Sequence, residues 1–212
     1  SGRIGLIIEG KEHITKISTC LDVTLAVVRK AIENRSDLLI AHHTPIWAPL
    51  TSIGGDDARL FSMILQSEMN VYVMHTNLDH APRGVNDILA ELLGLTEREN
   101  MSLSLVGTCV RTVEEMVRIL KAPLPIWGNV EKIQRLAIAA GSGFDSALIR
   151  EAQSLGADAF LSAELRHSVY RSSPLPLLES THYALESPAM RVLAEKHGWE
   201  YIDDLPVLHS LS

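Results

Sequence analysis

Cysteine is nearly absent. Only Cys20 and Cys109 occur in 212 residues, each on an apolar segment and neither in a C-x-x-C spacing, so buried thiols in a reducing, cytoplasmic setting are expected rather than a disulfide framework. Long apolar runs are also lacking. Stretches such as Leu38 to Ala41 and Val71 to Met74 fall far short of the ~20 residues that cross a bilayer, so no transmembrane segment is expected. No basic segment followed by an apolar run stands at the start, so no secretory signal is expected. Basic clusters are missing as well. The net charge is −7 with no basic stripe to offset it, which argues against neutralising a phosphate backbone and against nucleic acid as the main partner. What is present, 46% apolar and 21% charged residues, suits a folded chain throughout. The length suffices to bury a core without disulfides or a structural metal.

Short β-rich runs alternate with longer amphipathic stretches, which predicts an α/β fold of packed βα units. Ile4 to Ile8 and Lys16 to Cys20 read as strands, and Asp22 can cap a helix with the apolar spacing Leu25, Val28, Ile32. Leu38 to Ala41 reads as a buried strand running into His42-His43-Thr44-Pro45. A loop punctuated by Pro49, Gly54 and Gly55 follows, then a helix from about Asp57 to Glu68. Val71 to Met74 is the next strand and ends in His75-Thr76-Asn77-Leu78-Asp79-His80. Thr112 to Leu120 reads as a helix, and Pro123 to Gly128 as a kinked connection that marks a lobe boundary. Arg135 to Ala139 is a strand entering Gly141-Ser142-Gly143, Asp145 precedes a helix to Leu155, and Ala159 to Leu161 is a further strand. Leu177 and Leu178 lead to Ser180-Thr181-His182-Tyr183. Pro188 disfavours helix at Ser187, so the last helix is expected to start there and to reach His197, with His182 and Glu186 on the loop before it. No clear internal sequence repeat is visible, although both halves share the βα rhythm.

Two strands finish in histidine-rich loops, where an open α/β sheet places its ligands. Consecutive strand side chains alternate, so of His42 and His43 at least one emerges into the loop region. Imidazoles suit Zn, Fe, Ni or Mn ions, and an added carboxylate can bridge two cations that would otherwise repel. His42, His43, Asp79, His182 and Glu186 supply that mixture. Taken singly, the histidine pair reads as an ordinary strand end and Asp79 as a turn or capping aspartate.

The motifs taken together say more. Leu21-Asp22-Val23-Thr24 with its helix, His42-His43, His75-Thr76-Asn77-Leu78-Asp79, Gly141-Ser142-Gly143, Gly156-Ala157-Asp158 and Thr181-His182-Tyr183-x-x-Glu186 follow one another in an order that resembles the NIF three-like dinuclear metal proteins, the type 2 homologues of GTP cyclohydrolase I. The resemblance covers nearly the whole chain. It implies a single NIF three-like domain over 1–212 in two similar βα lobes, with a boundary at about 105–130, no long insert between them, and the metal site in the cleft between lobes. It further implies five ligands to two divalent ions, His42, His43, Asp79, His182 and Glu186, with the glutamate bridging, and a ring-shaped homohexamer whose sites face an inner cavity. Three departures stand out: Thr44 separates the histidine pair from Pro45, Ala163 replaces a glycine common before Glu164, and the usual N-terminal helix is absent. The first two are expected to reshape the pocket.

His75, Asn77, Glu164 and His167 lie on segments able to approach the same cleft, and His75 and Glu164 are the candidates for a general base. Glu164 is also placed to open a helix, with His167 one turn on. The Gly141-Ser142-Gly143 turn reads as tight strand-to-helix turning, since it lacks the spacing of a phosphate-binding loop. Trp47, Trp127 and Trp199 serve packing or substrate stacking, and His13, His197 and His209 read as surface residues. The function expected is metal-dependent hydrolysis of a small-molecule substrate, a nucleotide or phosphoester. The alternative is a non-catalytic metal-binding, metal-delivery or regulatory scaffold protein.

Overall fold

The computed structural model describes residues 4–130 and 132–206 and realises the βα alternation as two sheets. By its contacts the described chain forms two compact units, changing over between Leu78 and Asp79 and again between Ala189 and Met190.

The first unit contains β1 (Gly5–Ile8), β2 (Ile17–Cys20), α1 (Leu25–Glu33), β3 (Leu38–Ala41), α2 (Gly55–Gln66) and β4 (Asn70–Val73). After the second changeover the chain adds β11 (Glu200–Tyr201). Strand order is β1-β4-β3-β2-β11, with β2, β3, β4 and β11 parallel and β1 antiparallel to β4. Cys20, Leu39, Ala41 and Val71 pack with Val27, Val28 and Ala31 of α1 and Leu60, Phe61 and Ile64 of α2. Helix α1 is capped by Thr24, whose hydroxyl accepts from the Val27 amide and donates to Asp204. Asp22, the cap expected from the sequence, is engaged elsewhere. The α2 helix begins two residues ahead of its expected start.

The second unit holds α4 (Val85–Leu93), β5 (Thr96–Asn100), β6 (Leu105–Thr108), α5 (Val113–Leu120), β7 (Ile126–Trp127), β8 (Arg135–Ile138), α6 (Ser146–Ser154), β9 (Ala159–Ser162), α7 (His167–Ser172) and β10 (Leu177–Glu179). The short α3 (Thr76–Asp79) spans the first changeover, and α8 (His182–His197) the second. Strand order is β5-β6-β8-β9-β10-β7, with β8, β9 and β10 parallel and β5, β6 and β7 antiparallel to their neighbours. Period-two alternation sends Leu136, Ile138, Ala159, Leu161 and Leu178 to one face, under α4, α5 and the start of α8. Ala137, Ala139, Phe160 and Leu177 go to the other, under α6. Both faces of the parallel strands are therefore apolar, as burial on both sides requires. The Pro123 to Gly128 connection, expected as the lobe boundary, lies within this unit. There β7 pairs with β10, and β6 pairs with β8 across the region assigned to the boundary.

Each unit repeats one arrangement. The order β1-β4-β3-β2 in the first matches β7-β10-β9-β8 in the second, with the first-named strand antiparallel and the other three parallel in both. The two similar βα lobes expected from the resemblance are thus present. No helix among the described residues is long and apolar enough to cross a membrane. His13 and His197 are exposed, while His209 lies outside the described residues.

Candidate metal centre

In the first unit the C-terminal ends of parallel strands carry the histidines. His42 and His43 follow β3, with both amides held by the Leu21 carbonyl just past β2, and His75 follows β4. His42 is fully buried and the His43 side chain is 12% exposed, so the adjacent pair turns inward together. The three rings gather at centroid distances of 4.9 Å (His42 to His43), 5.0 Å (His42 to His75) and 5.5 Å (His43 to His75). One ring nitrogen from each lies within 4.8 Å of the others. Nitrogens on a common tetrahedral cation at ~2.1 Å sit ~3.4 Å apart, so the rings are close to the spacing of ligands to one ion. Trp47, 47% exposed, stands edge-on to His75 at 5.4 Å and 6.0 Å from His43.

The other ring nitrogens fix the tautomers. His42 Nδ1 donates to the Met74 carbonyl at 2.7 Å, and His43 Nδ1 donates to Asp22 Oδ1 at 2.7 Å. A carbonyl only accepts, so the His42 proton sits on Nδ1 and its Nε2 keeps the lone pair; a carboxylate imposes the same on His43.

In the second unit His182 and Glu186 occupy the first turns of α8. The expectation that Pro188 would delay the helix past both residues is corrected. Thr181 Oγ1 accepts from the Ala184 amide as an N-cap, and Pro188 sits inside the helix, where it forgoes one hydrogen bond. The adjoining turn is anchored by buried Ala184 and Leu185, which outweighs the local preference. The i,i+4 spacing then places both groups on one face, with His182 Nε2 2.9 Å from Glu186 Oε2. His182 Nδ1 donates to Glu164 Oε1 at 2.6 Å. Glu164 does not open a helix. It sits in the left-handed region at φ 61° on the loop after β9, three residues ahead of α7. The neighbouring Ala163 needs no such conformation, so its replacement of glycine carries no backbone strain.

Asp79 ends α3, and a carboxylate oxygen of Asp79 and one of Glu186 lie within 4.8 Å of each other. The Asp79 carbonyl accepts from Asn86 Nδ2, and Asn86 Oδ1 accepts from the Ala140 amide beyond β8. Gly141, at φ 68°, makes room for the cluster: a Cβ there would overlap Glu186 Oε1 and come within 3.2 Å of His182 Nε2. The Gly143 amide donates to Ser162 Oγ, which donates to the Gly141 carbonyl. This is the tight turn expected, with the Gly143 amide already occupied.

The donor chemistry fits divalent ions. The first unit offers imidazoles, and the second an imidazole with two carboxylates, the mixture that Zn, Fe, Mn or Ni accept. Neither cysteine joins in. Both are buried; burial first, then Asp22 and Asp204, pushes the Cys20 thiol well up, and burial raises Cys109. Of the residues predicted from sequence, His42, His43 and His75 come together in one unit, and Asp79, His182 and Glu186 in the other, with Glu164 against His182. Asn77 accepts from the His75 amide, and His167 is exposed and packs toward Tyr170. Sequence reasoning missed Asp22, taken for a cap, and Gly141, taken for a turn. The signal for Asp22 was the better cap two residues on, Thr24, which left the aspartate unemployed.

The chain is 30% identical over 216 residues to a GTP cyclohydrolase 1 type 2 homolog of Pyrococcus abyssi, covering 92% of this chain and 85% of that protein. A homolog of the same name from Clostridium perfringens is also 30% identical, with 91% and 82% covered. Among solved structures, reduced HcgD from Methanocaldococcus jannaschii superposes with a TM-score of 0.79 at 26% identity, covering 93% and 87%. The protein ybgI, of unknown function, gives 0.86 at 27%, covering 96% and 90%. The sequence pattern of the Duf34/NIF3 (NGG1p interacting factor 3) family matches residues 1–204, and the chain belongs to that family.

Proposed function

We propose that His42, His43, Asp79, His182 and Glu186 together hold two divalent ions, Glu186 bridging them, and that the protein is a hydrolase acting on a nucleotide or phosphoester. The observation that carries the reading is the engagement of three histidines at Nδ1, by the Met74 carbonyl, Asp22 and Glu164, which turns Nε2 of His42 and His43 to a cation and sets His182 Nε2 beside the Glu186 carboxylate. Charge balance supports joining the two ligand sets. Imidazoles alone leave two dications uncompensated, whereas Asp79 and Glu186 add two negative charges and one can be shared. When bound, such ions supply Lewis acidity toward a phosphoryl or ring-carbon electrophile and lower the pKa of water.

The chain's own residues then divide the work. His75, beside His42 and His43 but outside the five-ligand set, is the proton acceptor, and the exposed Trp47 next to it offers a flat face to a substrate ring. Glu164, the other candidate, holds His182 through Nδ1. The names of the relatives support a purine nucleotide as substrate class, and the family resemblance supports a homohexamer.

The test is metal content of protein purified without added metal, beside His43→Ala and Glu186→Gln. Two ions per chain are expected, with a loss in His43→Ala and both ions weakened together in Glu186→Gln. Loss of only one ion in the latter removes the bridging role, and no bound metal after dialysis against several divalent ions removes the proposal. A panel of nucleotides and phosphoesters follows, with His75→Ala expected to keep metal and lose turnover. Two ions without turnover on any member would favour the metal-delivery alternative.

A further inference from the structure

The two carboxylates that grip the histidines from behind stand in a shared relation to their sheets. Asp22 lies two residues beyond β2 and bonds His43, which follows the adjacent parallel strand β3. Glu164 lies two residues beyond β9 and bonds His182, which follows the adjacent parallel strand β10. In the repeated arrangement β2 corresponds to β8 and β3 to β9, so the device is displaced by one strand between the units. A plain copy would put the second carboxylate beyond β8, where Ala140 stands. The same contact has thus been built twice from non-equivalent positions, as a local requirement of each histidine rather than as a relic of the repeat.

Neither carboxylate has a structural task large enough to explain it. The Asp22 side chain is 42% exposed and that of Glu164 60%, Thr24 already caps α1, and Glu164 adopts its contact at the cost of a left-handed backbone, a strain that persists where the surroundings demand it. We propose that Asp22 and Glu164 are a matched pair of positioning residues, one in each unit, that fix His43 and His182 with Nε2 toward the cation. Each holds the Nδ1 proton, which sets the tautomer, locks ring rotation and makes Nε2 a better donor. Neither touches the ion or the substrate. This rests on the metal-site reading above.

The test is metal affinity by competition with a chromophoric chelator, together with the visible spectrum of the Co(II)-loaded protein, on Asp22→Ala, Asp22→Asn, Glu164→Ala and Glu164→Gln, with folding checked by circular dichroism. The alanine variants should fold and bind about 10- to 100-fold more weakly, with an altered Co(II) spectrum. The amide variants keep an acceptor for Nδ1–H and should lose less. Asp22→Ala should add nothing in a His43→Ala background, nor Glu164→Ala in a His182→Ala background. Additive losses, amide variants as weak as alanine, or unchanged affinity and spectrum would each overturn the pair, the last pointing to Glu164 as a substrate group. Failure of the metal reading itself is distinct, because there His43→Ala and His182→Ala also leave metal binding unchanged.

Discussion

Gly141 illustrates how one missing side chain shapes a site. Its positive φ and the overlap that a Cβ would make with Glu186 Oε1 mean that Gly141→Ala both strains the backbone and displaces the Glu186 carboxylate. We expect a loss of about 1 kcal/mol or more in stability and roughly tenfold or more in metal affinity, measured by thermal melting and chelator competition. A melting loss with metal affinity unchanged would show that Glu186 is not held through this cradle. Asp37, away from the proposed metal ligands, contributes to acid stability. The Lys11 ammonium, then the Thr15 hydroxyl and the Lys16 and Thr15 amides, hold its carboxyl well below the usual range. The unfolded chain, with a value near ~3.9, therefore takes up the proton first as acid is added. The stabilisation is complete above that value and fades as pH falls through and below it. Asp37→Asn should cost roughly 1–3 kcal/mol at neutral pH and progressively less as pH falls below about 4, by urea denaturation. A cost that does not change with pH would contradict the sign.

At the scale of elements, helix α1 separates two readings of one tetrad. Thr24→Ala removes the cap and the Asp204 contact and should cost about 1 kcal/mol without changing metal affinity; Asp22→Ala should do the reverse. If Asp22→Ala destabilises as much as Thr24→Ala, the aspartate is a cap after all. Strands β3, β4, β8 and β9, and the helices α2 and α6 that follow β3 and β8, were legible because parallel strands in the core are continuous apolar runs. Helix α4 was not: it starts at an uncapped Gly84 behind a stretch of histidine, proline and glycine that reads as loop. Strand β5, Thr-Glu-Arg-Glu-Asn, is exposed at every residue and exists only through its pairing with β6. The α8 start was misplaced because Pro188 dominates any local rule, whereas burial of the first turns is a tertiary fact.

For the whole molecule, ions that bind only the native chain must stabilise it, by about 4 kcal/mol at a thousand-fold excess over Kd. Chelation should therefore lower the melting temperature, and readdition of Zn or Mn should restore it. A midpoint indifferent to chelator would deny the protein a native metal load. The proposed homohexamer predicts a mass near six times the 23.3 kDa chain in multi-angle light scattering; a mass of one or two chains would remove that part of the reading.

The sequence by itself determined the alternation of strands and helices, the strand ends that carry His42, His43 and His75, and the family, because these rest on local periodicity and on motifs with fixed order. Only the tertiary structure decided where the chain changes units, that Glu186 and His182 share a helical face, that Asp22 and Glu164 hold histidines, and that Gly141 yields space to a carboxylate. Each of these depends on contacts between residues 18 to 45 positions apart or on a burial that outweighs a local preference, and no spacing in the sequence encodes such distances.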